Sequence, residues 1–138
     1  GVQTCALPIL AIGMLGMGVE LLLLGHFESV AQIVPLVLLL LGEGVVVWHA
    51  VRPRGVTVRA VQAMMGLFLA SGALGVVLHL RGNAEFLHEV TPSMAGFELF
   101  RKTMTGATPA LAPGSMALLG LVGLMHAYRH PALMLEGE

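Results

Sequence analysis

Four apolar runs with few polar interruptions occupy residues 7–24, 30–51, 56–80 and 109–128. Each is about 20 residues long, enough for a helix to cross ~30 Å of hydrocarbon at ~1.5 Å per residue. Turn-forming residues separate the runs. Pro53-Arg54-Gly55 ends the second. Arg81-Gly82-Asn83 ends the third, with Asn83 placed to cap whatever helix follows. Thr108-Pro109 reads as the N-cap and first helical position of the fourth, with Pro113-Gly114 as a later start or a bend, and Pro131 as its stop. The pattern changes between residues 81 and 107. There Phe97, Phe100 and Met104 fall at i, i+3 and i+7, with Glu98, Arg101 and Lys102 on other faces. That spacing predicts an amphipathic helix, capped by Ser93, which lies at the membrane interface or closes one end of the bundle. Residues 83–90 predict a further short helical turn. The expected fold is all-α: an integral membrane four-helix bundle forming one domain over residues 10–131, an amphipathic outer segment between its third and fourth helices, and a short tail at 132–138.

Composition narrows the class. Of 138 residues, 57% are hydrophobic and 11% charged, against about 25% charged in soluble domains. A soluble fold of this length could not bury so much apolar surface. The net charge of −1, with seven scattered Lys and Arg residues, excludes an electrostatic nucleic-acid binder. The lone Cys5 allows no internal disulfide. Arg52, Arg54 and Arg59 cluster in the short connection between the second and third runs, and Arg129 closes the fourth; Arg81, Arg101 and Lys102 are spread over the longer connection. The positive-inside rule then places the short connection and both termini in the cytoplasm, with 25–29 as a short outer turn and 81–107 as a larger outer segment.

Polar residues inside the apolar runs carry the functional information, because ionisable groups are costly there. Gly13, Gly16 and Glu20 share one stripe, as do Ser71, Gly75 and His79. Small residues mark close helix contacts in lipid, so Glu20 and His79 are expected to face inward in the outer half, with a Glu20–His79 or Glu20–Arg81 contact. Glu43 lies nine residues from Arg52, ~13 Å deep, between Gly42 and Gly44, with Gln32 on the same face. Glu20, Glu43, His79 and Arg81 are therefore the ligand or proton candidates, each also readable as a structural hydrogen bond that fixes helix register. His26, Glu28, His79, Glu85 and His88 collect on the expected outer face. They are the side-chain types that hold zinc, although the reading finds no HxxxH, HExxH or CxxC spacing. His26 and His79 end the first and third runs and His49 and His126 the second and fourth, a layout similar to the axial histidines of diheme membrane cytochromes. No Gly-x-Ser-x-Gly, phosphate loop or dinucleotide fingerprint occurs. The methionines read as core filler.

Two resemblances add to this reading. Gly1-Val2-Gln3-Thr4-Cys5-Ala6-Leu7-Pro8-Ile9 resembles a translated sequencing-library adapter, which implies that residues 1–9 and Cys5 are not native. From the first helix to Pro131 the chain resembles a family of small four-helix bacterial membrane proteins. That resemblance rests on Gly25-His26-Phe27-Glu28, Leu78-His79-Leu80-Arg81-Gly82-Asn83-Ala84-Glu85-Phe86, Gly96-Phe97-Glu98-Leu99-Phe100, Thr105-Gly106-Ala107-Thr108-Pro109-Ala110-Leu111-Ala112-Pro113-Gly114 and Tyr128-Arg129-His130-Pro131. It implies a fold and an inner-membrane location but no activity. The expectation is a non-enzymatic accessory, scaffold or small-ligand-binding protein, whose partners are the lipid bilayer and a membrane protein or second copy of itself. The alternative is a redox or transport component using heme, a metal ion or protons.

Overall fold

A computed structural model describes residues 2–106 and 112–134. Its helices are α1 (Val2–Leu23), α2 (Val30–Val51), α3 (Gly55–Val90), α4 (Gly96–Met104), α5 (Gly114–Ala127) and the single turn α6 (Pro131–Met134). No strand occurs among the described residues. Three of the helices, α1, α2 and α3, are long and apolar enough to cross a membrane.

The chain divides into two compact units, residues 1–69 with 118–138, and residues 70–117. In the first unit α1 and α2 pack on each other. Leu10 and Met14 of α1, Leu39 and Val46 of α2, and Val58, Val61, Met65 and Phe68 of α3 are buried. Glycines set how closely these helices approach. A Cβ on Gly42 would meet the Phe68 ring at 2.7 Å and Met14 Sδ at 3.0 Å. One on Gly120 of α5 would lie 2.7 Å from the Met65 carbonyl oxygen and 2.8 Å from Leu69 N, both backbone atoms of α3. Only a residue without a side chain allows that contact.

In the second unit the start of α5 lies against α3, where a Cβ on Gly72 would sit 2.5 Å from Ala117 N and one on Gly75 2.6 Å from Pro113 Cβ. The amphipathic α4 forms where the spacing predicts it. Its N-cap is Ala95 rather than Ser93.

Several expected boundaries move. The third helix does not stop at Arg81-Gly82-Asn83 but runs on to Val90, absorbing the separate turn expected at 83–90. Gly and Asn are weak helix formers, at up to about 1 kcal/mol each. Here Asn83 is buried and its Nδ2 donates to the Thr103 carbonyl at 2.9 Å, so a tertiary bond offsets the local preference. Gln32 does not join Glu43 as a second embedded polar group. Its Oε1 accepts from the backbone N–H groups of Glu28 (2.8 Å) and Ser29 (3.1 Å) and closes the start of α2. The turn before it uses Gly25 at φ 65°, a left-handed conformation that suits glycine. Pro131 does not end the last long helix. That helix ends at Ala127, and Pro131 begins α6, in keeping with the preference of proline for a first helical position. Thr108-Pro109, the expected cap of the fourth helix, lies outside the described residues, and α5 begins at Gly114.

A histidine cluster as candidate functional site

Histidines from two helices and the turn after α5 converge in the first unit. His49 lies in the last turn of α2, His126 near the end of α5, and His130 between α5 and α6. Their ring centroids form a near-equilateral triangle: His49–His126 5.4 Å, His49–His130 5.1 Å, His126–His130 5.4 Å. One ring nitrogen from each lies within 4.8 Å of those of the others. His49 and His126 are buried and His130 is half-buried.

The chain geometry explains the meeting. His126 and His130 are four residues apart, the spacing that puts two side chains on one helical face. The helix is broken between them, however, because Arg129 takes φ 50°. This left-handed residue follows the helix end, a place usually held by glycine, and it turns the chain so that His130 returns to the other two. Arg129 itself lies 5.4 Å from the centre of the Tyr128 ring.

Thr57 fixes the His49 ring. Its hydroxyl oxygen lies 2.8 Å from His49 Nδ1 and 3.0 Å from the Arg54 backbone nitrogen, and also within 2.8 Å of the Arg54 carbonyl and 3.1 Å of the Arg52 carbonyl. The Arg54 N–H donates to the hydroxyl oxygen, and the hydroxyl and His49 Nδ1 share one hydrogen bond whose direction follows the imidazole tautomer. His49 Nε2 lies 3.3 Å from His126 Nε2. On the third ring, His130 Nδ1 accepts the Ala132 backbone N–H at 3.2 Å.

The residues singled out from the sequence fare differently. Glu43 is half-buried, and its Oε1 is buried with no hydrogen-bond partner among the described residues. Gly42 beside it is a close-contact position, whereas a Cβ on Gly44 would meet open space. Glu20 does not turn inward; it is exposed. The buried stripe of α1 runs through Ala6, Leu10 and Met14, and Glu20 comes six residues after Met14, about 120° around the helix. Gly16 also faces open space, so of that small-residue stripe Gly13, against Leu119, makes the close contact. His79 is half-buried, as is His26.

The outer metal set is not assembled. Among the described residues His26, Glu28, His79, Glu85 and His88 form no group of three ligands; the group that exists is His49, His126 and His130. Glu28, Glu85 and His88 are exposed, and Glu85 lies 4.0 Å from Arg81 in a surface pair one turn apart. His49 and His126, expected as heme ligands, meet with their Nε2 atoms 3.3 Å apart. His49 and His126 were thus legible as paired residues but not as this cluster, and His130 was missed. The signal was present: His126-Ala127-Tyr128-Arg129-His130 is an HxxxH spacing, which corrects the reading that none occurs. No protein-family model, curated protein or solved structure matches this chain.

Proposed function

We propose that the chain is an integral protein of the bacterial inner membrane, acting without enzymatic chemistry as an accessory, scaffold or small-ligand-binding protein. The observation that carries the membrane reading is the outward face of its helices. Leu23 is 82% exposed, Leu40 75% and Ile12 72%, within an apolar surface that continues along α1 and α2. Contiguous apolar exposure on that scale suits hydrocarbon and not water. α1, α2 and the apolar part of α3 are the first three spans. The fourth is the run 109–128, of which α5 supplies 14 residues, or about 21 Å at 1.5 Å per residue. This makes a four-helix bundle. Arg52, Arg54, Arg59 and Arg129 face the cytoplasm, and the segment holding Arg81, Arg101 and Lys102 lies outside.

The expected result is that the protein stays with membranes through alkaline carbonate extraction. Cytoplasmic reporters fused after Glu138 should be active and periplasmic ones silent. Release by carbonate overturns the membrane reading; the reverse reporter pattern overturns the orientation alone.

A second reading, a transport or redox component handling protons or a metal ion, is favoured by the buried Glu43 Oε1, which has no hydrogen-bond partner among the described residues, and by the three-histidine cluster. Both are costly to keep in an apolar protein. The two readings separate in liposomes: an accessory protein leaves a proton or zinc gradient intact, and a transporter dissipates it.

A further inference from the structure

We infer that His49, His126 and His130 bind a divalent first-row transition-metal ion of the class that imidazole favours, with zinc as the reference ion. Three observations, independent of how the chain sits in a membrane, carry this. First, the spacing is close to that of a metal centre. At Zn–N bonds of about 2.0–2.1 Å, two ligands of a tetrahedral ion stand ~3.3–3.4 Å apart. His49 Nε2 and His126 Nε2 stand 3.3 Å apart, and the third ring nitrogen falls within 4.8 Å. A side-chain adjustment of His130, half-buried and beyond the end of α5, closes the remaining distance.

Second, the supporting shell is in place. Metal-bound histidines donate their other ring N–H to an oxygen that fixes ring orientation. The Thr57 hydroxyl, 2.8 Å from His49 Nδ1 and itself tied to the Arg52–Arg54 turn, is placed to accept that proton once Nε2 binds a metal. With Nδ1 held by Thr57, His49 Nε2 faces the cluster, 3.3 Å from His126 Nε2. Third, the ligand types select the ion. Three imidazoles with no carboxylate suit zinc, cobalt, nickel or copper(II), and not magnesium or calcium. Three protein ligands also leave a fourth position for water or an exogenous donor.

His130 has to change partners. Its Nδ1 now accepts the Ala132 N–H at 3.2 Å. Binding through Nε2 requires the ring proton to move to Nδ1, and binding through Nδ1 displaces that amide directly. Either way the Ala132 amide loses its acceptor, which gives a signature that a cluster held by hydrogen bonds alone would not show.

The test uses full-length protein without a polyhistidine tag, stripped with EDTA in detergent. Titrated cobalt(II) should saturate at one equivalent with the visible bands of a tetrahedral ion, and zinc should displace it. The Ala132 amide resonance should shift on zinc addition. His49→Ala, His126→Ala and His130→Ala should each weaken zinc binding by at least about tenfold, and Thr57→Val by about ten- to a hundredfold. His88→Ala, exposed on α3, should leave affinity unchanged. If the buried-histidine variants fail to fold, His130→Ala decides, checked by circular dichroism. Absence of saturable binding, or zinc affinity unchanged in a folded His130→Ala protein, overturns the assignment.

Discussion

The two units of the chain are built on different balances. In residues 1–69 and 118–138, apolar side chains of α1, α2 and α3 are fully buried, and His49, Thr57 and His126 are buried with them. Among the described residues of 70–117 the buried side chains are fewer, namely Asn83, Met94, Thr103 and Met116. The charged residues of that unit lie at the surface, in i, i+4 pairs such as Arg81–Glu85 and Glu98–Lys102. The difference shows where fixed chemistry can be held. Dense packing leaves a polar side chain one allowed geometry, and a neighbour such as Thr57, 2.8 Å from His49 Nδ1, then fixes its ring. An exposed histidine such as His88 has no such constraint. It also sits nine residues from His79 on the same helix, ~13 Å along the axis, so the two cannot converge.

If the first unit is held by its core, Phe68→Ala should have the largest effect. Phe68 is fully buried at the Gly42 and Gly120 contacts, and emptying such a site costs about 3–5 kcal/mol. The matching change in the second unit, Phe97→Ala, removes a ring that is 79% exposed and should stay within about 0.5 kcal/mol. Reversible unfolding in detergent measures both; equal losses would erase the distinction between the units.

Asn83→Ala comes next. It leaves the buried Thr103 carbonyl without its 2.9 Å donor, at a cost of about 1–3 kcal/mol. Hydrogen exchange should quicken in α4 and leave α2 unchanged. Protection in α4 that survives the change would show that this bond does not order the second unit.

Glu43 sharpens the comparison from the other side. Its Oε1 is a buried acceptor with no partner among the described residues, so Glu43→Met should raise thermal stability, by about 1 kcal/mol. A marked loss would reveal a stabilising partner for the carboxyl group. Stability gained together with a lost transport signal would assign Glu43 a function.

The smallest effect belongs to the surface. Glu85→Ala breaks the 4.0 Å pair with Arg81 between two exposed side chains, worth under about 0.5 kcal/mol. A larger drop in melting temperature would mean that the pair belongs to a wider network.

Some of this was written in the order of residues. The first three apolar runs specify the long helices α1, α2 and α3, a local outcome of i to i+4 backbone hydrogen bonding along an uninterrupted run. The i, i+3, i+7 spacing of Phe97, Phe100 and Met104 specifies α4 for the same local reason. What sequence could not settle were the places where a distant group overrules a local preference. Arg81-Gly82-Asn83 has the residues of a helix end, yet Thr103, twenty positions away, gives Asn83 a reason to stay helical. The small-residue stripe through Gly13 and Gly16 predicted an inward Glu20, but small residues permit close approach without requiring it, and α1 turned its Ala6–Leu10–Met14 face to the core instead. The histidine cluster depends on both kinds of information. The spacing of His126 and His130 is local, but His49 lies 77 positions before His126. Only the packing of α2, α3 and α5, together with the left-handed turn at Arg129, brings the three rings together.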